Sequence, residues 1–118
     1  MKNILKIENI TKEYKIASKK VIALNNISLK VKTGDCLAVV GESGSGKTTL
    51  GRLILGLEKP TKGSVFYNDK DISTKRNIQD RKDIQVVQQN PLTSLNPKNK
   101  ISNSISLPLK IHKIVNKE

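Results

Sequence analysis

The chain has 118 residues, with 22 Lys plus Arg against 10 Asp plus Glu and a formal charge of +12, which allows one domain at most, and a basic one. Hydrophobic residues make up 36% and aromatics 3%, enough for a modest core but too few rings for a protein that grips nucleic acid by base stacking. A single cysteine, Cys36, and a single histidine exclude an internal disulfide and a Cys/His zinc cluster, and no apolar stretch approaches the roughly 18 residues that cross a bilayer.

The N-terminal text MKNILKIENI alternates charge with aliphatics and lacks a signal-peptide core, so a soluble protein of the reducing cytoplasm is expected. Residues 4–10 read as a short strand, residues 14–20 as a polar turn, and Ile27, Leu29 and Val31 alternate with polar neighbours as in a half-buried second strand. Residues 35–40 (DCLAVV) form a continuous apolar run cut off by glycine. That pattern suits a strand of a parallel sheet, buried on both faces, with Cys36 as a buried small side chain. From Lys47 the period lengthens: Leu50, Leu53, Ile54 and Leu57 fall on one helical face, and Gly56 and Pro60 mark the stop. Residues 63–67 (GSVFY) predict another strand and Asn68-Asp69 a turn, after which Ser73 or Thr74 is the expected cap of a short polar helix to about Arg81. Residues 83–88 return to strand character, and residues 90–100, holding Pro91 and Pro97, read as loop. Ile101, Ile105 and Leu109 then suggest an amphipathic helix broken near Pro108.

Between the buried-strand run and the first helix stands Gly41-Glu42-Ser43-Gly44-Ser45-Gly46-Lys47-Thr48, a complete G-x-x-x-x-G-K-[ST] match in the context its mechanism requires. A triphosphate brings several negative charges, which must be met by donors fixed beforehand. Glycines let the backbone wrap so that successive N–H groups face inward as an anion nest, and the following helix adds the positive end of its dipole. Lys47 would reach the β- and γ-phosphates, Thr48 would hold Mg²⁺ through its hydroxyl, and Thr49 would act near the α-phosphate. Ser43 and Ser45 are either direct contacts or small loop fillers.

From ITKEYKI through ALNNISLKVKTGDCLAVVGESGSGKTTLGRLILGLEKPTKGSVFYNDKDI to VVQQNPLTSLNP, the chain resembles the N-terminal part of an ABC transporter ATP-binding subunit over essentially its whole length. ESGSGKTTLGRLILGL followed by a QxPLTSLNP-like segment is most similar to the subunits that power oligopeptide and dipeptide importers, with nickel importers close behind. The resemblance implies an α/β fold, the N-terminal portion of a P-loop NTPase of the ABC ATPase kind, with an antiparallel β subdomain and an incomplete parallel core sheet. Residues 1–33 would supply the β subdomain strands, 34–88 the P-loop core, and 89–118 the Q-loop and the start of a helical subdomain. ATP and Mg²⁺ are the implied cofactors, and the implied activity is peptide uptake driven by ATP binding and hydrolysis when the subunit is complete. Gly41, Glu42, Ser43, Gly44, Ser45, Gly46, Lys47, Thr48 and Thr49 would hold the phosphates. Tyr14 would stack on adenine, its other reading being a packing tyrosine at a strand end. Gln89 would contact Mg²⁺ and the attacking water, and with Lys47 would support catalysis. The implied partners are transmembrane permease subunits and a second ATP-binding subunit, identical or not, at the inner face of the cell membrane.

Other family features do not occur in these residues. No LSGGQ-like signature is present, the nearest text being SNSIS at residues 102–106, and no apolar run ends in Asp-Glu to supply the Walker B aspartate and the glutamate that polarises water. Phosphoryl transfer needs positioned water, metal and charge stabilisation together, so negligible hydrolysis is expected from these residues alone. A strand at 35–40 deprived of neighbours would expose unpaired backbone and apolar surface, leaving the chain marginally stable or prone to aggregation. A fragment, a truncated gene and a fold completed by a second polypeptide all fit, as do two alternatives: a remnant without function, or an ABC-type NTPase acting on nucleic acid. Against the last, the charge is spread, with 12 basic and 5 acidic side chains in residues 1–63 and 10 and 5 in residues 64–118. No nucleic-acid partner is expected, although the lysines help attract polyanions such as nucleotides.

Overall fold

Residues 2–114 are described in a computed structural model, in the order β1 (Asn3–Ile16), β2 (Lys19–Lys32), α1 (Lys47–Leu55), β3 (Lys62–Tyr67), β4 (Lys70–Asp71), α2 (Ile78–Asp83), α3 (Pro91–Ser94) and α4 (Ile101–Ile111). β1 and β2 form a long antiparallel hairpin, running from Asn3 opposite Lys32 to Ile16 opposite Lys19. The other edge of β1 takes β3, antiparallel, and β4 extends β3, giving the sheet order β2-β1-β3-β4. This is the antiparallel part of the expected α/β fold.

Ile7 and Ile10, three residues apart on one strand, are both fully buried, although strict alternation would put them on opposite faces. A bulge reconciles them. The register shifts between Ile7 and Ile10, and Asn9 between them has φ of 49°, so the strand turns over by one residue and presents both side chains inward. They meet Leu24 of β2, Val65 of β3, Ile72, and Leu50 and Leu53 of α1 in a single core. Leu50 and Leu53 lie one helical turn apart, so one face of α1 supplies both to the core.

Gly56 ends α1 in the left-handed conformation (φ 73°), with the amides of Gly56 and Leu57 bonded back to Leu53 and Arg52. One side chain from beyond β4 reinforces that end. Arg76 donates to Leu53 O at 2.8 Å, to Ile54 O, and to Ile72 O at 3.1 Å. Its replacement by alanine is expected to cost roughly 2–3 kcal/mol, since charge-assisted hydrogen bonds to half-buried carbonyls are lost together. Urea unfolding followed by circular dichroism checks this, and a change below about 0.5 kcal/mol would show the clamp to be idle.

Several expectations are corrected. Residues 14–16 continue β1 and Lys19 opens β2, so the turn is only residues 17–18, with Ala17 at φ 56°; the aliphatics Ile16 and Val21 let the hairpin extend through what looks like polar loop. Residues 35–40 form no ladder, and Cys36, Leu37, Val39 and Val40 are exposed, Val40 at 88%. Residues 83–88 are likewise not a strand: Asp83 ends α2, and Val87 is 97% exposed. A strand buried on both faces needs strands at its edges and helices above and below, and among the described residues neither segment has them. Leu57 falls outside α1 and is exposed.

The cap of α2 is Asn77, in a reciprocal capping box with Asp80 (2.7 and 2.9 Å), not Ser73 or Thr74. Ser73 is instead buried, its hydroxyl accepting the Val65 amide at 2.8 Å. Within residues 90–100 stands the single turn α3, with Pro91 at its start and the Asn90 side chain accepting from Leu92 N at 3.0 Å. α4 runs through Pro108, which lies one turn from its end. No helix among the described residues is long and apolar enough to cross a membrane.

Candidate functional site

The glycine loop leads from the unpaired segment 35–40 into α1. Gly44 and Gly46 both have positive φ, 81° and 97°. At Gly46 the loop is seated directly on β2, where an added Cβ would stand 2.6 Å from Ala23 O and 2.8 Å from Leu24 Cδ2. The Ser45 amide turns back to Glu42 O at 3.2 Å, and the next backbone amide with a backbone acceptor is that of Leu50, bonded to Gly46 O at 2.9 Å. Between them lie the orphan donors of the helix start, Gly46 through Thr49, with no capping side chain and no acidic residue in the first turn. They border a cavity of about 410 Å³ lined by Ser43, Gly44, Gly46, Lys47, Thr48 and Thr49 and, from β2, Ala23.

Lys47 is folded back over this loop. Its ammonium donates to Gly41 O at 2.5 Å, Glu42 O at 2.6 Å and Ser45 Oγ at 3.2 Å. Three protons meet three acceptors, and the hydroxyl contact is the longest, so it is the one an arriving anion would replace. Ser45→Ala is therefore expected to leave anion affinity within about fivefold, the worth of one ordinary hydrogen bond. A loss well beyond that in calorimetry would make Ser45 a direct ligand. An added Cβ at Gly41 would stand 2.6 Å from Ser45 Oγ, so a side chain there would push the Ser45 hydroxyl out of its place against Lys47.

Tyr14 reaches the loop from β1. Its hydroxyl donates to Glu58 Oε2, and Glu58 is also 3.3 Å from Arg52 Nη1 and 3.5 Å from Lys12 Nζ. The Glu58 carboxylate raises the pKa of the Tyr14 phenol above its usual value, and the same hydrogen bond holds Glu58 below the usual carboxylate range. The Thr49 hydroxyl is close enough to Tyr14 to act in the opposite sense. The Tyr14 hydroxyl is thus near the first turn of α1, but Tyr14 forms no part of the cavity wall. Gln89 lies exposed on segment 85–90 and is not in that wall either. Thr48 is exposed and lines the cavity, and no cluster of three His, Cys, Asp or Glu side chains occurs among the described residues. A divalent ion here would depend on the Thr48 hydroxyl, on water and on the oxygens of a bound anion, a donor set that suits Mg²⁺.

Sequence reasoning missed Ala23, Lys12, Arg52 and Glu58. Ala23 offered one faint signal, a small residue between Ile22 and Leu24 in an otherwise bulky strand; the other three are ordinary surface charges until the fold brings them to Tyr14.

The ABC transporter family model matches residues 24–117. Over its whole length the chain is 37% identical to the di/tripeptide transport ATP-binding protein DppF of Pseudomonas aeruginosa (strain UCBPP-PA14), of which it covers 39%. It is 44% identical, over 83% of its own length and 30% of the relative's, to the dipeptide transport ATP-binding protein DppF of Escherichia coli (strain K12). A dimeric structure of a bacterial ABC transporter cassette superposes with a TM-score of 0.82 at 32% identity, over 97% of this chain and 50% of that one. The chain spans half or less of the length of each. A glycine loop with orphan amides at the start of α1, an antiparallel sheet beneath it and a family match across most of the residues agree, and the chain belongs to the ABC transporter family.

Proposed function

We propose that this chain is the ATP-gripping part of the motor subunit of an ABC importer, in which ATP binding and hydrolysis drive peptide uptake once the subunit is complete. One observation carries the reading: the unpartnered amides from Gly46 to Thr49 border the same cavity as Lys47. Fixed donors of this kind suit a polyphosphate better than any neutral ligand. In the reading, Ser43, Gly44 and Gly46 through Thr49 line the phosphate cradle, with Gly41, Glu42 and Ser45 supporting Lys47; Thr48 would hold Mg²⁺, joined by Gln89 from outside the cavity wall, and the ion would supply charge neutralisation. Tyr14 takes the adenine. No carboxylate lines the cavity, so the chain is expected to bind nucleotide without appreciable turnover.

Peptide as cargo is supported by the names of the relatives, which are peptide transport ATP-binding proteins. Pairing with a second ATP-binding subunit is supported by the dimeric state of the solved cassette. Permease subunits at the inner face of the membrane complete the proposal, with residues 1–33 as β subdomain, 34–88 as P-loop core, whose β3 and β4 extend the sheet of that subdomain, and 89–118 as the Q-loop and the start of the helical subdomain. Isothermal calorimetry with Mg·ATP is expected to show saturable binding at one site. No binding by the chain, even with the rest of a cassette supplied in trans, would sink the reading, and a salt-sensitive complex with labelled DNA or RNA in its place would redirect it to nucleic acid.

A further inference from the structure

Glu58 lies outside the glycine loop, in the turn that follows α1, yet three side chains from β1 and α1 converge on its carboxylate. The Tyr14 hydroxyl donates to Oε2, Arg52 Nη1 is 3.3 Å from Oε1, and Lys12 Nζ is 3.5 Å from Oε2. Lys12 is itself fixed, donating to Lys59 O at 2.7 Å, and its ammonium stands 5.1 Å from the centroid of the Tyr14 ring. The Lys12 and Glu58 side chains are 16% and 21% exposed, while Arg52, at 54%, closes the group from the solvent side. An exposed ion pair would contribute little. This one differs because it ends on Tyr14, whose hydroxyl also feels that of Thr49, a residue of the cavity wall. Lys12 thus occupies one face of the Tyr14 ring, so a flat ligand stacking on it would have to use the other.

We infer that Glu58 is a positioning residue for base recognition: by taking the Tyr14 hydroxyl it fixes the ring, with Lys12 on one face, near the first turn of α1. The inference rests on the proposal that the loop holds a nucleotide. A ring held at one angle before binding loses little freedom when a base stacks on it, whereas an untethered tyrosine must be immobilised at that moment. Glu58 would thus contribute to affinity for the base and not for the phosphates.

The test compares the full chain with Glu58→Ala, Glu58→Gln and Tyr14→Phe, each titrated calorimetrically with Mg·ATP and with Mg·tripolyphosphate, which carries the anion and no base. ATP affinity is expected to fall about fivefold or more in Glu58→Ala and Tyr14→Phe, within the range of base stacking on an aromatic ring. The double variant should fall no further. Glu58→Gln keeps an acceptor oxygen for the hydroxyl and should stay within about twofold, and tripolyphosphate should bind all forms alike. Equal losses for both ligands would mean that Glu58 only supports the fold, and undiminished ATP binding in Glu58→Ala would mean that the ring needs no anchor. Either result overturns the inference and leaves the nucleotide proposal standing. Should Glu58→Ala fail to fold, Tyr14→Phe, which removes only the hydroxyl, decides by the same ratio. Failure of the unaltered chain to bind either ligand sinks the nucleotide proposal and this inference together.

Discussion

Replacing Lys47 with alanine is expected to weaken ATP binding by roughly 100-fold or more, since charge-assisted hydrogen bonds to two phosphates, each about 1.5–3 kcal/mol, are lost at once. A second loss adds to the first. The ammonium also ties Gly41 O and Glu42 O to the helix start, so its removal loosens the loop that has to be rigid before the ligand arrives. Arginine should not rescue it, because a planar fork cannot replace a compact point donor between those two carbonyls. Calorimetry on protein whose far-ultraviolet dichroism is unchanged provides the measurement. Affinity within about fivefold of the unaltered chain would mean that the orphan amides alone hold the anion.

Gly63→Ala is expected to be the most damaging single methyl in the sheet. Gly63 has φ of 84°, and a Cβ there would stand 2.4 Å from both Glu8 O and Asn9 O and 2.5 Å from Asn9 C. All three are backbone atoms of the β1 bulge, so no side chain can swing aside to make room. Left-handed strain of about 1–3 kcal/mol adds to the displacement of a paired strand, and a loss of roughly 3 kcal/mol or more is anticipated. Such a loss consumes much of the stability of an ordinary domain. Gly51→Ala is the control: it lies inside α1 with nothing within 4 Å of its added Cβ, and helix propensity alone should stabilise it by up to about 1 kcal/mol. Urea unfolding of both variants checks the pair, and equal midpoints would show the bulge to be soft.

What was legible in the sequence was local. The glycine motif, the i, i+3 spacing of Leu50 and Leu53, the glycine stop at Gly56 and the strand at residues 63–67 each depend on neighbours a few positions away, and each is found close to where expected. Errors came where pairing across the chain decides. Residues 14–16 look polar but gain a partner in residues 19–21, while residues 35–40 look like the best strand in the chain and gain none. Asn9 carried no signal of the bulge that lets Ile7 and Ile10 share a core, because that depends on Gly63 arriving against it. For the candidate site, the loop and its lysine were readable from spacing alone. The tie from Tyr14 to Glu58 was not, since it joins two residues 44 positions apart whose types are unremarkable.

The place of β1 between β2 and β3 also dictates an order of events on the ribosome. The hairpin of β1 and β2 can close as soon as residue 32 has emerged, but the other edge of β1 stays bare until residues 62–67 follow it out. By the end of that interval the glycine loop and α1 have emerged with only part of their floor beneath them, and the slow, long-range pairing of β1 with β3 is still to be made. A translational pause just before Gly63 would lengthen that exposure, whereas one just after Tyr67 would give the nascent sheet time to close.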